Sequence, residues 1–297
     1  MTPTTTPTKG HVFLDAALEL VWPTRCSGCE RSGVLLCDEC RALLKQIMSA
    51  HACPRCGAPF GGLVCTECYS GEGREQHQFD AAVCALELDE LSGRVIVLYK
   101  DSYERRLSGL LASYLLSALP APWLIWADVL TWVPVDRKAL RRRGFDHMEL
   151  IARELSERTG LPLRRLLDKQ PCRDQRGLNR SERIENHRES FSLHQATHTP
   201  PSKTHAPQPS TPACSSASHL LPSTPHFSPP STPTLPSTTH SSRAAAPLLP
   251  LAAHSLPPHI LLLDDVLTTG STLDAASMRL KEGGAVEVRV ATVARAW

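Results

Sequence analysis

The residue types and spacing that most clearly predict chemistry occur in the stretch 259–272, which reads HILLLDDVLTTGST. An unbroken apolar run, as expected of a parallel strand covered on both faces, leads into two adjacent acids, Asp264 and Asp265. The hydroxyl-rich run Thr268–Thr272 follows where the next helix should begin. We therefore expect a strand, a short loop with acids before it, and the first turn of a helix.

This loop has the composition of an anion site. Free N–H groups and the helix dipole favour a phosphate at a helix start, and a glycine lets the backbone approach it closely. The two carboxylates before the loop could accept hydrogen bonds from sugar hydroxyls, directly or through a metal. A ligand with a ribose and a 5′-phosphate would fit both the acid pair, which would bind the ribose hydroxyls, and the loop, which would bind the phosphate. The residues predicted to hold the phosphate are Thr268, Thr269, Gly270, Ser271 and Thr272.

The alternative is an ordinary strand-to-helix turn with a capped helix, which explains the hydroxyls but not the acid pair. The run LLLDDVLTTGST also resembles the phosphoribosyl-pyrophosphate (PRPP) motif of type I phosphoribosyltransferases. The resemblance implies transfer at the anomeric carbon of PRPP, with Mg²⁺ bridging the pyrophosphate to the ribose hydroxyls. It assigns Asp264 and Asp265 as the catalytic pair, next to the ribose hydroxyls and the metal.

A second set of chemically competent residues lies near the start of the chain. Four CxxC pairs occur between residues 26 and 68. A CxxC knuckle places two thiolates on one side of a tight turn, and two knuckles complete a tetrahedral zinc site. The eight residues are Cys26, Cys29, Cys37, Cys40, Cys53, Cys56, Cys65 and Cys68. They predict two structural Zn²⁺ sites, because all four positions of each would be filled by protein.

Other uses of these cysteines stay open. Four thiolates also suit an iron–sulfur cluster, and a CxxC pair can be redox-active, although redox pairs rarely come in fours. The pairing of knuckles is not readable from spacing: neighbours could join, or alternate knuckles could interleave. A helix-like segment from Arg41 separates the two halves and favours sequential pairing.

Composition limits the class of protein. The formal net charge of +2 over 297 residues gives no global basic field of the kind expected of a nucleic-acid binder. No apolar run approaches the ~20 residues of a membrane span, and the polar start MTPTTTPTKGH lacks the pattern of a signal peptide. We expect a cytoplasmic protein without membrane insertion. Eleven cysteines in that compartment favour metal over disulfides.

The remaining elements predict an α/β domain that positions the acids. Apolar runs predict core strands and helical spacing predicts amphipathic helices between them. The expected strands are 79–88, 129–135, 260–263 and 286–293, and the expected helices are 12–22, 91–99, 107–119, a helix from the basic run at 137 to about Arg158, and 272–282. We predict a parallel sheet flanked by helices.

The basic run between Arg137 and Arg143 has two interpretations. Basic clusters are usually solvated faces, or contact nucleic-acid phosphates. This run, however, follows the carboxyl end of a predicted strand, where ligands bind in open α/β sheets. On that interpretation Arg143, together with Lys100, is a candidate for binding the pyrophosphate of PRPP.

The full set of motifs resembles the ComF family of competence-associated, phosphoribosyltransferase-like proteins. The landmarks are the CxxC knuckles, Lys100, VPV, RRRGF, the spaced run from Gln175 to Phe191, and DDVLTTGST. The chain departs from the family pattern at two places. Asp146-His147 stands where the family usually has Asn-Gln, and Lys100-Asp101-Ser102-Tyr103 stands where it usually has a Lys-aromatic-x-Gly turn.

Residues 194–258 differ sharply in composition from the rest of the chain. They hold fifteen of the 25 prolines and seven of the 13 histidines, and no acid. Such a segment buries too little apolar surface to offset its ordering entropy, so we predict a disordered Pro/Ser/Thr/His-rich insertion. The irregular spacing of the histidines argues against a metal site.

Together these observations predict a type I phosphoribosyltransferase-like α/β fold with a small N-terminal zinc module and a long disordered insertion. The predicted parts are a disordered tail 1–10, a double zinc ribbon 11–78, a split domain 79–193 and 259–297, and the insertion 194–258. The expected ligand is PRPP with Mg²⁺, and the acceptor is not readable. The alternative is a non-catalytic accessory protein of DNA uptake that binds single-stranded DNA or a competence ATPase or helicase. A third interpretation is a purely structural scaffold.

Overall fold

The computed structural model describes residues 23–69, 77–170, 190–194 and 256–297. Several sequence-based predictions lie outside these ranges. They are the tail 1–10, the helix at 12–22, the landmark run 175–186 and the insertion apart from its ends.

The centre of the described chain is a four-stranded parallel sheet. Its strands are β1 (Ala81–Glu87), β2 (Val129–Trp132), β5 (His259–Leu267) and β6 (Glu287–Arg295), in the spatial order β1-β6-β5-β2. The register pairs Leu263 of β5 with Ala291 of β6 and with Trp132 of β2. The predicted parallel sheet is confirmed, and it draws strands from both sides of the predicted insertion.

Helices cover both faces of the sheet. Their bounds are α1 (Asp38–Leu43), α2 (Glu90–Asp101), α3 (Ser108–Ala118), α4 (Ala121–Trp126), α5 (Arg137–Arg143), α6 (His147–Thr159) and α7 (Ser271–Glu282). A small antiparallel pair, β3 (Leu167–Lys169) with β4 (Phe191–Leu193), lies beside α7. The α/β class is therefore confirmed.

Alternation along β5 separates the two cores. Leu261 and Leu263 pack with α2, α3 and α6 on one face, whereas Ile260 and Leu262 pack with α7 and the β3–β4 pair on the other. This follows from the period of two in a strand, and burial on both faces explains the unbroken apolar run.

The single helix predicted from the basic run to about Arg158 is wrong. The structure has two helices, α5 and α6, because Gly144 adopts a left-handed conformation (φ +71°) that ends α5. Asp146 then begins α6, accepting hydrogen bonds from the N–H groups of Met148 and Glu149 at 3.0 and 3.2 Å.

The N-terminal segment closes the free edge of β1. Ile47 N donates to Ala85 O at 2.9 Å and Glu87 N donates to Lys45 O at 2.9 Å. The cysteine-rich part is thus attached to the sheet edge by backbone pairing, which satisfies groups that would otherwise be exposed. Among the described helices, none is both long and apolar enough to cross a bilayer.

Candidate functional site

The two acids predicted to act together lie within β5, which continues past them to Leu267, and they point to opposite faces of the sheet. Asp265 follows the alternation of Leu263 toward α2 and α6, whereas Asp264 follows Leu262 toward the face covered by α7. Asp264 is buried and accepts a hydrogen bond from the N–H of Asp265 at 2.9 Å. The shared role of the two carboxylates therefore stays a prediction.

Asp265 is the centre of a polar cluster. Its Oδ2 lies 3.0 Å from Lys100 Nζ and 3.2 Å from His147 Nε2. Arg143 lies behind the histidine, with Nη1 3.4 Å from His147 Nδ1 and Nη2 2.9 Å from Asp101 Oδ1. The structure thus brings together three of the predicted site residues, Lys100, Asp265 and Arg143, and the His147 imidazole lies between Asp265 and Arg143.

The pKa values of the two acids are shifted in opposite directions. Burial, together with the neighbouring charge of Asp265, raises the pKa of Asp264 well above its ordinary value. Burial also acts to raise the pKa of Asp265, but the hydrogen bond from His147 and the charge of Lys100 outweigh it and the pKa is lowered. Asp265 is the carboxylate that stays ionised, and it is the one that suits a magnesium ion or a sugar hydroxyl.

The loop Thr268–Thr272 has the conformation expected of a backbone cradle. Gly270 adopts φ +86° at the N-cap position of α7, and Asp274 N donates to Gly270 O at 2.7 Å. Thr269 Oγ1 and Ser271 Oγ lie 3.3 Å apart, on an exposed turn. Amides of the first turn of α7 lack partners within the helix, so they can bind an anion.

A histidine outside the predicted set packs against this loop. A Cβ on Gly270 would lie 2.7 Å from His77 Cε1, so the close approach requires glycine. His77 Nδ1 lies 3.1 Å from Asp274 Oδ2, and the imidazole stacks on Phe79 with ring centroids 4.4 Å apart. The segment that leads into β1 thereby fixes the outer side of the loop.

The two departures from the ComF pattern have different consequences. Asp146 is buried, and besides capping α6 it accepts hydrogen bonds from Trp132 Nε1 and Val135 N, both at 3.2 Å. Its carboxylate is therefore committed to joining β2 to α6. Tyr103 takes the left-handed backbone conformation (φ +64°) at the position of the family glycine, and its hydroxyl donates to Arg142 O at 2.8 Å.

The cysteines form two groups, and the pairing is sequential. The first group is Cys26, Cys29, Cys37 and Cys40, and the second is Cys53, Cys56, Cys65 and Cys68; within each, the sulfurs lie within 4.8 Å of one another. The interleaved alternative is excluded for these residues. Backbone N–H groups point at the sulfurs, as when Cys37 N lies 3.3 Å from Cys26 Sγ and Cys65 N lies 3.3 Å from Cys53 Sγ.

These amides favour the thiolate form that a metal requires. Burial acts to raise the pKa of Cys26 and of Cys53, but backbone hydrogen bonds outweigh it and lower the two values to about 6 and about 7. Four convergent sulfurs, with one thiolate in each group favoured by amides, fit a tetrahedral zinc ion. Each group would hold one ion as a structural cross-link.

Sequence reasoning missed three residues near the predicted site: His147, His77 and Arg295. His147 was visible as a departure from the family pattern, four residues after Arg143. His77 carries no local signal, because its partners are about 195 residues away in sequence. Arg295 was detectable only as a charge within an otherwise apolar strand end.

Comparison with known proteins adds one assignment. A family described as the double zinc ribbon domain matches residues 17–69. A search among curated proteins found no match to the chain. The matched segment contains both cysteine groups and ends one residue after the last ligand. The N-terminal part of this chain is thus a double zinc ribbon domain with two Cys₄ sites for structural zinc.

Proposed function

We propose that the chain binds PRPP with Mg²⁺ at the carboxyl edge of its sheet and transfers the phosphoribosyl group to an acceptor. The observation that carries the proposal is the convergence of Lys100 and His147 on Asp265, at 3.0 and 3.2 Å, five residues before a glycine-containing helix start. Cationic groups, a carboxylate and free amides are the three kinds of group that a sugar bearing a phosphate and a pyrophosphate requires.

In this reaction the bond between the anomeric carbon and the pyrophosphate oxygen breaks, and positive charge develops on the ribose ring. The protein must neutralise the departing pyrophosphate and fix the 5′-phosphate. Lys100 and Arg143 supply positive charge beside Asp265, and the loop at Gly270 supplies amides. When bound, Mg²⁺ would stabilise the leaving group while retaining several waters, so one accessible carboxylate, Asp265, is a sufficient protein ligand.

The resemblance to the ComF family further suggests a role associated with DNA uptake. In the proposal, the double zinc ribbon is a structural part of the same protein. The cluster around Asp265 favours ligand binding over a purely structural scaffold, because gathering three partly buried charged groups around a histidine has no evident benefit to packing.

The test is calorimetric titration of the zinc-loaded chain with PRPP and Mg²⁺, followed by measurement of pyrophosphate release with candidate acceptors. We expect saturable binding that Asp265→Asn weakens at least about tenfold, since it removes the ionised group at the centre of the cluster. The matched control is Asp128→Asn. Asp128 lies at the opposite end of the sheet, where its Oδ2 accepts the N–H of His259 at 3.0 Å.

The outcomes separate the functions. Pyrophosphate release with one acceptor establishes a transferase. Saturable binding without release favours the accessory protein of DNA uptake, and absence of binding by the wild-type chain refutes the proposal.

A further inference from the structure

Arg295, near the end of β6, is a buried charge that binds the start of the phosphate loop. Only 3% of the residue is exposed. Its Nη1 donates to the carbonyl oxygens of Leu267 at 3.2 Å and Thr268 at 2.8 Å. A guanidinium presents donors in a rigid planar fork, so these two bonds fix the main chain where the strand passes into the loop.

The other arm of the same guanidinium reaches the second cysteine group. Nη2 donates to Glu67 Oε2 at 2.9 Å and lies 3.9 Å from Cys56 Sγ. Glu67 lies within the Cys65–Cys68 knuckle. One side chain therefore joins two of the features singled out in the sequence, the second zinc site and the loop 268–272.

The second cysteine group is also seated tightly on the sheet. A Cβ on Gly57, which has φ +69°, would lie 2.8 Å from Cys84 Sγ and 3.2 Å from Ala82 O. Cys84 Sγ lies 3.7 Å from Cys56 O and accepts a hydrogen bond from Thr292 Oγ1 at 3.1 Å. The Cys53–Cys56 knuckle thus contacts β1 and β6 with no room for a side chain between them. A displacement of this knuckle would therefore also displace the partners of Arg295 on β6.

The charge of a zinc-loaded second Cys₄ site would also favour the position of the Arg295 guanidinium beside it. Four thiolates around one Zn²⁺ leave about two excess negative charges, which a buried guanidinium offsets. Glu67 adds a further negative group on the same side. Without an ordered knuckle, the guanidinium would lose the partners that orient its second arm, and its planar fork would no longer be held against the loop carbonyls.

We propose that the second Cys₄ site, acting through Arg295, sets the order of the loop 268–272, which makes Arg295 a positioning residue for phosphate binding. The phosphate part rests on the proposed function. The coupling between zinc site and loop does not, because it concerns the protein without ligand. The first Cys₄ site packs against α2 instead: Arg94 Nη1 donates to Gly28 O at 3.0 Å. The first site therefore serves as a control for the second, because it has a different attachment to the sheet domain.

The experiment is hydrogen–deuterium exchange of the full zinc-loaded chain, read on the peptide 266–272 without ligand. We expect Arg295→Met and Cys56→Ser to speed exchange there by at least about tenfold, because both free the loop from its anchor. Arg295→Lys should restore part of the protection, since an ammonium can still donate to Thr268 O. The controls are Cys29→Ser in the first site and Arg279→Met, whose Nε donates to the carbonyl of Phe191 at 3.0 Å.

Zinc content and circular dichroism identify any variant that fails to fold. In that case the test rests on loop exchange in Arg295→Lys and on loop exchange in the wild-type chain after zinc is removed selectively from one site or the other. Equal exchange in Cys56→Ser and Cys29→Ser, or unchanged exchange in Arg295→Met, overturns the inference. A parallel titration with PRPP and Mg²⁺ separates the two proposals. If Arg295→Met and Cys56→Ser both speed exchange of the loop peptide but the wild-type chain does not bind PRPP, the proposed function is refuted and the link between the second zinc site and the loop is supported.

Discussion

Lys100 Nζ and Asp265 Oδ2 lie 3.0 Å apart, and this contact joins the end of α2 to the carboxyl-end part of β5. Both side chains are mostly shielded, with 25% and 19% of their surfaces exposed. Because the pair lies where the ligand is expected, it should contribute both to stability and to binding, and the two contributions can be separated by substitution.

Replacing Lys100 with Met should destabilise the protein by about 1–3 kcal/mol, because it removes the ammonium group and leaves a partly buried carboxylate with the His147 imidazole as its nearest remaining partner. Adding Asp265→Asn should recover part of the loss, since the neutral amide needs no counter-charge. Urea unfolding of the two single variants and the double variant measures the coupling. Additive effects would show that the contact contributes nothing.

Asp264 and Asp265 should respond to substitution in opposite directions. Asp264→Asn is expected to raise the free energy of unfolding at neutral pH, because burial and the adjacent charge penalise its ionised form. Asp265→Asn is expected to lower it, because His147 and Lys100 stabilise that carboxylate. Thermal unfolding of both variants with zinc retained provides the measurement, and a stability loss in both would contradict the assigned environments.

The pH dependence follows from the raised pKa of Asp264. A carboxyl whose pKa in the folded state lies above its ordinary value of 3.8 favours folding fully below 3.8, and this contribution is lost as pH rises through the folded pKa. The stability advantage of Asp264→Asn over wild type should therefore grow as pH rises above 3.8, until the pKa of the folded state has been passed. Unfolding curves across that window test it; a constant difference would mean that Asp264 ionises normally.

Gly270→Ala should disrupt the loop. The positive φ alone costs about 1–2 kcal/mol for a residue with a Cβ, and the new methyl would also collide with His77 at 2.7 Å. The double variant with His77→Ala should regain only the steric part. Comparison of unfolding free energies for the two single variants and the double variant checks this, with Gly160→Ala as a control, because a Cβ there meets nothing within 4 Å.

Metal analysis should give two zinc ions per chain. Cys29→Ser and Cys56→Ser should each retain about one, because their groups are separate and each is closed by four sulfurs. Chelation should make the remaining thiols reactive toward alkylation. One ion in the wild-type chain would contradict the two-site arrangement.

Local signals predicted most of the elements correctly. Asp89 caps α2 through a reciprocal pair of hydrogen bonds with Ser92, at 3.0 and 2.9 Å, and Gly160 ends α6 with φ +74°. Such signals act within one turn of chain and are readable from sequence. The break at Gly144 was missed because a helix-forming run on both sides of a glycine does not show whether the glycine ends the helix.

The site was predictable only in part, for a similar reason. The acids and the loop occupy one continuous stretch, so the sequence alone indicates which chemical groups they offer to a ligand. Whether adjacent acids share a face depends on strand continuation through Leu267, which the sequence does not show. The partnership of Arg295 with Glu67 depends on packing between segments more than 200 residues apart, and no local preference encodes it.

The spatial order β1-β6-β5-β2 also has a consequence for biosynthesis. The two middle strands, β5 and β6, follow β1 and β2 in the chain and so leave the ribosome after them, and β1 and β2 are not neighbours in the sheet. A nascent chain that has emerged only as far as residue 258 therefore lacks the strands that pair with β1 and β2 in the sheet, and it must await β5 and β6 before the sheet can assemble. Until then its exposed apolar surface would need protection by chaperones.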